Sequence, residues 1–263
     1  MTVNWIDVSN LSFNTLLLLE RVQLSWFPSW LPEEELAIAL SANPTVEWYL
    51  RHKCPEIIPW LDHIQSSLVN GTPPTQQIIR QAEIKILNTI KDLVVYVVDP
   101  AIYDAQPFLG WDSNELRQLT DFRDKIVIDI GSGTGRLAFI AVENASTVFA
   151  VEPVGNLRLY IKQKAQARKL TNIFPVDGLI TDLPFPDGFA DITMGGHVCG
   201  DHLQAEYTEM KRVTKLGGMI ILCPGTSLTE TKSHEYLVSQ GFSWSVFEEP
   251  RDGLRRKYWK QVK

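Results

Sequence analysis

The alternation of short apolar strands with helical stretches is what most constrains this chain. From about Lys125 onward, Ile126 to Ile130, Thr147 to Val151, Asn172 to Val176, Asp191 to Met194 and Met219 to Cys223 read as strands. Helical patterns near 135–144, 155–169, 202–214 and 229–239 lie between and after them. Strands that are apolar almost throughout belong in a parallel sheet covered on both faces, because only there are both sides of a strand buried. The end of the chain departs from this pattern. Phe242 to Phe247 and Leu254 to Val262 are two further strands, joined only by Glu248 to Gly253. A parallel crossover needs a dozen or more residues, so this link permits a hairpin and nothing else. The expectation is an α/β fold: a seven-stranded, mostly parallel sheet whose last strand is antiparallel.

Residues 1 to about 105 read differently, as an α-helical cap ahead of the sheet domain of 106–263. Pro32 followed by Glu33, Glu34 and Glu35 marks a helix start, since proline suits the first turn and carboxylates suit the positive end of the dipole. Asn43-Pro44 marks another, with Asn43 as cap. Gly71-Thr72-Pro73-Pro74 is a break, and a long helix is expected from Thr75 into the nineties. Trp5, Trp26, Trp30, Trp48 and Trp60 suit a compact helical core better than an aromatic pocket.

Charge narrows the function classes. Residues 1–105 hold twelve acidic and six basic side chains, whereas 106–263 hold nineteen of each. A protein that tracks a phosphate backbone needs a basic surface, so no nucleic-acid partner is expected. Cys54, Cys199 and Cys223 have no paired spacing and read as reduced thiols. Leu16 to Leu19 is too short for a signal peptide or a membrane span, so a cytoplasmic protein is expected. A homodimer is compatible with these features.

The chemistry is carried by Val127-Ile-Asp129-Ile-Gly131-Ser132-Gly133-Thr134-Gly135-Arg136, between a strand and a helix. Glycines there let the backbone turn tightly and approach a ligand. The dinucleotide fingerprint is G-x-G-x-x-G, but Arg136 stands where its last glycine belongs. Asp129, two residues before the first glycine, would repel a pyrophosphate yet could accept from an ammonium group. The loop therefore suits a cofactor that bears an amino acid. Glu152 ends the second strand and can accept from both hydroxyls of a ribose, with Pro153 offering an apolar surface to a base. Asp177 ends the third strand, before Gly178 and Leu179, and can accept from an adenine amino group. Strand-end carboxylates gather along the edge where ligands bind in open parallel sheets.

These residues resemble motif I and its companions in class I S-adenosylmethionine-dependent methyltransferases. Phe174-Pro-Val-Asp-Gly178, then Leu183-Pro-Phe-Pro-Asp-Gly-Phe-Ala-Asp191, and Glu209-Met-Lys-Arg-Val-Thr-Lys-Leu-Gly-Gly218 resemble segments of the ubiquinone/menaquinone-methyltransferase-like (type 11) group. Leu216 stands where that group more often has proline. The resemblance spans about 120 to 225 and leaves residues 1–100 uncovered. It implies a Rossmann-like sheet that binds S-adenosyl-L-methionine. Asp129 and the loop from Gly131 to Gly135 would hold the methionine part, Glu152 the ribose, and Asp177 with Gly178 the adenine.

Acceptor-side groups are expected after the fourth strand, in Gly195-Gly-His197-Val-Cys-Gly-Asp201-His202. Gly195 leaves room for the cofactor. His197 or His202 could take a proton from an acceptor at neutral pH, with Asp201 orienting the ring. A zinc site lacks a fourth ligand at credible spacing, so no metal is expected. Tyr103, Phe108 and Trp111, just upstream, are expected to fold over the cofactor. The expected activity is methyl transfer to a small-molecule acceptor, in a pocket between the N-terminal helices and the sheet edge. A non-catalytic binder of the same cofactor and an aminopropyl transferase on the same fold are the alternatives.

Overall fold

The computed structural model describes residues 5–66, 73–251 and 253–263. The chain divides into two compact units, Met1–Tyr103 and Asp104–Lys263. No described helix is long and apolar enough to cross a membrane.

The first unit is helical. Its principal helices are Glu33–Ala42, Pro44–Lys53, Ile58–Ser66, Gln76–Thr89 and Lys91–Val98. Three carboxylates open the first of these, Pro32 taking the cap position just before it. Asn43 precedes Pro44 but does not cap with its side chain, which donates instead to the Ala39 carbonyl and the Glu83 carboxylate. Thr75 does cap, its hydroxyl accepting from the Ile78 amide at 3.3 Å. Gly71 and Thr72 of the expected break lie outside the described residues. The single long helix expected after it is two, separated at Ile90, which is fully buried with φ −110° and ψ 23°. The core is aliphatic, with Leu16, Leu24, Leu36, Leu40, Leu50, Leu61 and Ile86 around Phe13 and Phe27. Of the five tryptophans, Trp26 and Trp60 pack against it from its margin. Trp5, Trp26 and Trp60 are only partly covered, and Trp30 and Trp48 are exposed.

The second unit is built on one seven-stranded sheet in the order β3-β2-β1-β4-β5-β7-β6. Its strands are β1 (Ile126–Ile130), β2 (Thr147–Val151), β3 (Ile173–Val176), β4 (Ala190–Gly195), β5 (Thr214–Leu222), β6 (Ser243–Glu249) and β7 (Gly253–Gln261). The first five pair in parallel, and β7 runs antiparallel to both of its neighbours. Helices α1 (Arg136–Ala141), α2 (Gly155–Ala167), α3 (Leu203–Val213) and α4 (Lys232–Ser239) complete the layers. Successive strand residues face opposite sides, so each strand feeds two cores. Val127, Val148, Ile192 and Ile221 pack with Leu137, Phe139 and Ile140 of α1. Ile128, Ile130, Val151 and Leu222 pack with Tyr207, Met210 and Leu237 from the other face. Each fully buried side chain of this kind contributes roughly 1.5–3 kcal/mol.

β5 begins five residues earlier than its apolar run. Thr214 pairs with Ala190 and Met219 with Ile192, so the segment between bulges out of register. Gly217 takes φ +79° there, and a Cβ on Gly218 would stand 2.8 Å from the Asp191 carbonyl. The extra residues fall out of register with β4 only, since the Gly217 amide donates to the Val262 carbonyl and the Gly218 carbonyl accepts from the Val262 amide.

Strand order reverses direction between β1 and β4, and ligands bind outside the carboxyl ends of the strands at such a point. Ile130 pairs with Val151 on one side and Gly195 on the other, and Val151 pairs with Val176. The next residues, Gly131, Glu152, Asp177 and Gly196, therefore follow one register row at the sheet edge.

Candidate functional site

The glycine loop is the centre of that edge. Gly131, Gly133 and Gly135 all have positive φ, at 59°, 55° and 88°. Gly135 precedes α1, and a Cβ on it would press into the Phe139 ring at 2.8 Å. The two methyl groups of Val198 explain two more glycines. One fills the space of a Cβ on Gly131, and the other would lie 2.5 Å from a Cβ on Gly195. Val198 thus sits directly between the ends of β1 and β4. Ser132 ties the loop to its strands, its hydroxyl donating to the Asp129 carbonyl at 2.8 Å and its amide to the Val151 carbonyl at 3.0 Å. Thr134 is buried, and its hydroxyl has no hydrogen-bond partner among the described residues. The Thr134 carbonyl accepts from Lys164 Nζ at 2.9 Å.

The three carboxylates hold different places around this loop. Asp129 lies beneath it, 1% exposed, with Oδ2 accepting from the Ala138 amide of α1 at 2.9 Å. Burial pushes its carboxyl up to about 7, against hydrogen bonds that favour the charged form. Glu152 is also buried. Its Oε2 accepts from the Gly133 amide and its Oε1 from the Val154 amide, both at 2.9 Å. Burial pushes this carboxyl up to about 7 as well. Asp177 is exposed and accepts from Arg158 Nη1 at 2.8 Å. The same nitrogen donates to the Glu152 carbonyl at 2.6 Å. Arg158 thereby links the ends of β2 and β3. No sequence signal marked it, because its role depends on where the first turn of α2 falls over the sheet edge. Pro153 is half-buried beside Glu152, and Leu179 is exposed. A Cβ on Gly178 would meet Pro184 and Val151, both at 2.9 Å.

After β4 the chain is strained. His197 takes φ +57°, a conformation unusual for a residue with a side chain, and its amide donates to the Pro224 carbonyl. Its Nε2 lies 2.8 Å from Oε1 of Glu249. Glu249 is fully buried, and its Oε2 accepts from Arg255 Nε at 2.9 Å. The Phe108 ring meets the imidazole edge-on at 6.4 Å. Asp201 was expected to orient a histidine here. The partner of His197 is instead Glu249, at the end of β6, brought in by the terminal hairpin. A separation of 52 residues gives no local pattern that could reveal such a pair.

Asp201 and His202 are exposed. The amides of Gly200 and His202 donate to the buried Glu206 carboxylate, which reaches back over the start of α3. Asp201 and His202 line an open cavity of about 840 Å³ together with Thr208, Glu209, Lys232 and Tyr236. Cys199 packs beside Glu206, and burial together with that carboxylate pushes its thiol far up. Burial pushes Cys223 up to about 12. Both are held as thiols, the form that does not act as a nucleophile. Among the described residues, no three His, Cys, Asp or Glu side chains gather as a metal site.

The aromatic segment upstream is divided. Trp111 is buried in the core, edge-on to Phe247, with the Arg136 guanidinium 5.0 Å above its ring. Tyr103 belongs to the first unit and stacks on Trp5 at 5.8 Å. Phe108 meets a candidate site residue, the His197 ring.

The methyltransferase domain model of type 11 matches residues 128–222. The histone-arginine methyltransferase CARMER of Drosophila persimilis is 28% identical over 137 residues, which cover 50% of this chain and 26% of that protein. The probable histone-arginine methyltransferase CARMER of Drosophila melanogaster matches to the same extent. The chain thus spans about a quarter of the length of these relatives. Among solved structures, a SAM-dependent methyltransferase from Aquifex aeolicus has a TM-score of 0.51 and 16% identity, covering 63% of this chain and 99% of that one. Residues 128–222 thus match a methyltransferase domain model, and the sheet unit shares the fold of a SAM-dependent methyltransferase.

Proposed function

We propose that this protein binds S-adenosyl-L-methionine at the edge between β1, β2 and β4 and transfers its methyl group to a small-molecule acceptor. One observation carries the reading. Glu152 is a buried carboxylate at the register row of the glycine loop, pushed up to about 7 because two amide donors only partly offset its burial. Each carboxylate oxygen can accept a second hydrogen bond. A ribose supplies two adjacent hydroxyl donors, so the residue fits the cofactor's diol. Asp177, with Arg158, stands one strand further out, on the side where the base would extend. The backbone amides of the loop and Asp129 beneath it suit the amino-acid end.

When bound, the cofactor supplies an electrophilic methyl carbon on a sulfonium. The protein's part is then to position an acceptor and to take its proton. His197 is the proposed proton acceptor, held by Glu249 through Nε2. Glu249 is a positioning residue, itself fixed by Arg255. The nearby cavity lined by Asp201 and His202, which His197 itself does not line, has the volume of a small-molecule site.

The test is calorimetric titration with S-adenosylhomocysteine, followed by a transfer assay with methyl-labelled cofactor against a metabolite extract and an arginine-bearing histone peptide. Saturable binding with label in a small metabolite is the expected result. Label in the peptide would move the acceptor to protein arginine, the substrate in the names of the CARMER relatives. Binding without transfer would leave a non-catalytic cofactor binder, and turnover of decarboxylated cofactor alone would mean aminopropyl transfer. Tighter binding of NAD would overturn the reading.

A further inference from the structure

A second cavity, of about 550 Å³, lies on the outer side of α1, between the segment 104–117 and the end of α2. None of Gly131, Gly133, Glu152 or Asp177 lines it. Four cations do: Arg117, Arg136, Lys164 and Arg168. They face only two carboxylates. Lys164 pairs with Asp104 at 2.8 Å, and Arg117 pairs with Glu143 at 2.7 Å. The other two cations have no carboxylate partner among the described residues. Arg136 is half-buried, with Nη2 donating to the Trp111 carbonyl at 2.6 Å and its buried Nε without any partner. Arg168 lies 4.5 Å above the Phe139 ring, whose side chain is part of the cavity wall.

Such an arrangement is costly without a ligand. A half-buried guanidinium gives up hydration, and here Asp104 and Asp112 act on it only from a distance, with no carboxylate bonded to it among the described residues. Loss of solvent and the nearby Arg117 both disfavour its charged form. The excess of two positive charges matches a dianion, and the guanidinium fork matches phosphate oxygens. The volume exceeds what a bare phosphate needs, and Pro107, Leu109 and Phe139 provide an apolar wall. We infer that this cavity is a binding site for a phosphorylated organic small molecule, with Arg136 and Arg168 as its anion ligands.

Lys164 couples the cavity to the glycine loop, because the same ammonium group bonds Asp104 in the cavity wall and the Thr134 carbonyl of the loop. Occupation of the cavity therefore acts on the loop from behind and does not compete for its front.

The test uses the full chain with phenyl phosphate and inorganic phosphate as probes, read by phosphorus NMR line broadening and by calorimetry. Phenyl phosphate should bind saturably and more tightly than inorganic phosphate. Arg168→Gln, at an exposed position, should weaken binding about tenfold with the fold intact, and Arg136→Gln with Arg168→Gln should abolish it. Arg123→Gln, on the surface elsewhere, should leave it unchanged. Saturation with S-adenosylhomocysteine should not displace the probe. Displacement would place the anion in the cofactor site and overturn the inference, as would unsaturable binding or equal affinity in Arg168→Gln. Homocysteine-cofactor binding is measured in the same samples, so the two assignments fail separately.

Discussion

At the scale of single residues, the buried carboxyls have a consequence for pH. Glu152 carries its proton up to about 7 in the folded chain, against an ordinary value of 4.5. The folded state therefore holds more protons than the unfolded chain between these values, and the contribution to stability falls as pH rises through that window. Glu152→Gln removes the titration. The variant should gain on the wild type from pH 4.5 to about pH 7.5, by about 3 kcal/mol at most, with no further change above. Urea melts at several pH values measure the gap, and a constant gap would refute the assignment. Ribose hydroxyls donating to Glu152 stabilise its charged form, so cofactor binding near pH 6.5 should release protons, seen as a binding enthalpy that depends on the buffer. His197 makes a different prediction. His197→Ala should lower kcat by about 10²–10⁴-fold with affinity for S-adenosylhomocysteine within about twofold, as for loss of a proton acceptor. Glu249→Gln should lower kcat by a smaller factor and change the pH profile. A fall in thermal stability with kcat intact in His197→Ala would show that the ring only packs.

At the scale of elements, the start of α1 depends on the turn before it. Gly135 sits at φ +88° with Phe139 packed where a Cβ would project. Gly135→Ala combines a left-handed backbone cost of about 1–2 kcal/mol with displacement of a core ring. We expect a loss of about 2–4 kcal/mol together with weaker cofactor binding, since the same turn presents the Gly133 amide. A Tm within a degree of wild type would mean that the loop can adopt another path. The cavity cations belong to this scale too, because Arg136 begins α1 and Arg168 follows α2. Two helices that pack on one sheet face bring together charges that neither could pair alone.

At the scale of the whole second unit, one contact closes the domain end to end. Lys257 of β7 is almost fully buried, and its Nζ donates to the Glu115 carboxylate at 2.6 Å and the Glu115 carbonyl at 3.0 Å. It ties the antiparallel end of the sheet to the segment before β1, across 142 residues of chain. Lys257→Met keeps the apolar stem and removes both charge-assisted bonds, so the expected loss is about 2–3 kcal/mol. Urea unfolding should show a lower midpoint with an unchanged slope. A changed slope would mean that the two ends of the domain no longer unfold together.

Much of this was legible locally. Strand runs such as Ile126 to Ile130, the glycine turn and the carboxylates at strand ends are properties of neighbouring residues, and backbone sterics and burial act on neighbours first. The short link before the last strand dictated the antiparallel ending for the same reason, since chain length alone forbids a crossover. Boundaries slipped where a feature depended on a partner elsewhere: the bulge at Gly217 and Gly218 answers to β4, and the break at Ile90 answers to the helical core. The tryptophans were a partial guide, Trp26 and Trp60 packing at the margin of the helical core while Trp30 and Trp48 stay exposed, because a large ring signals burial without saying where a core will form. What only the tertiary structure decided were pairings across long stretches of chain. Glu249 against His197, Arg158 bridging two strand ends, Val198 seated on two glycines, and two arginines facing one cavity with no bonded carboxylate among the described residues are each set by how layers meet. No period or spacing in the chain encodes such meetings, because they arise from the sheet's strand order and from the helices that cover it.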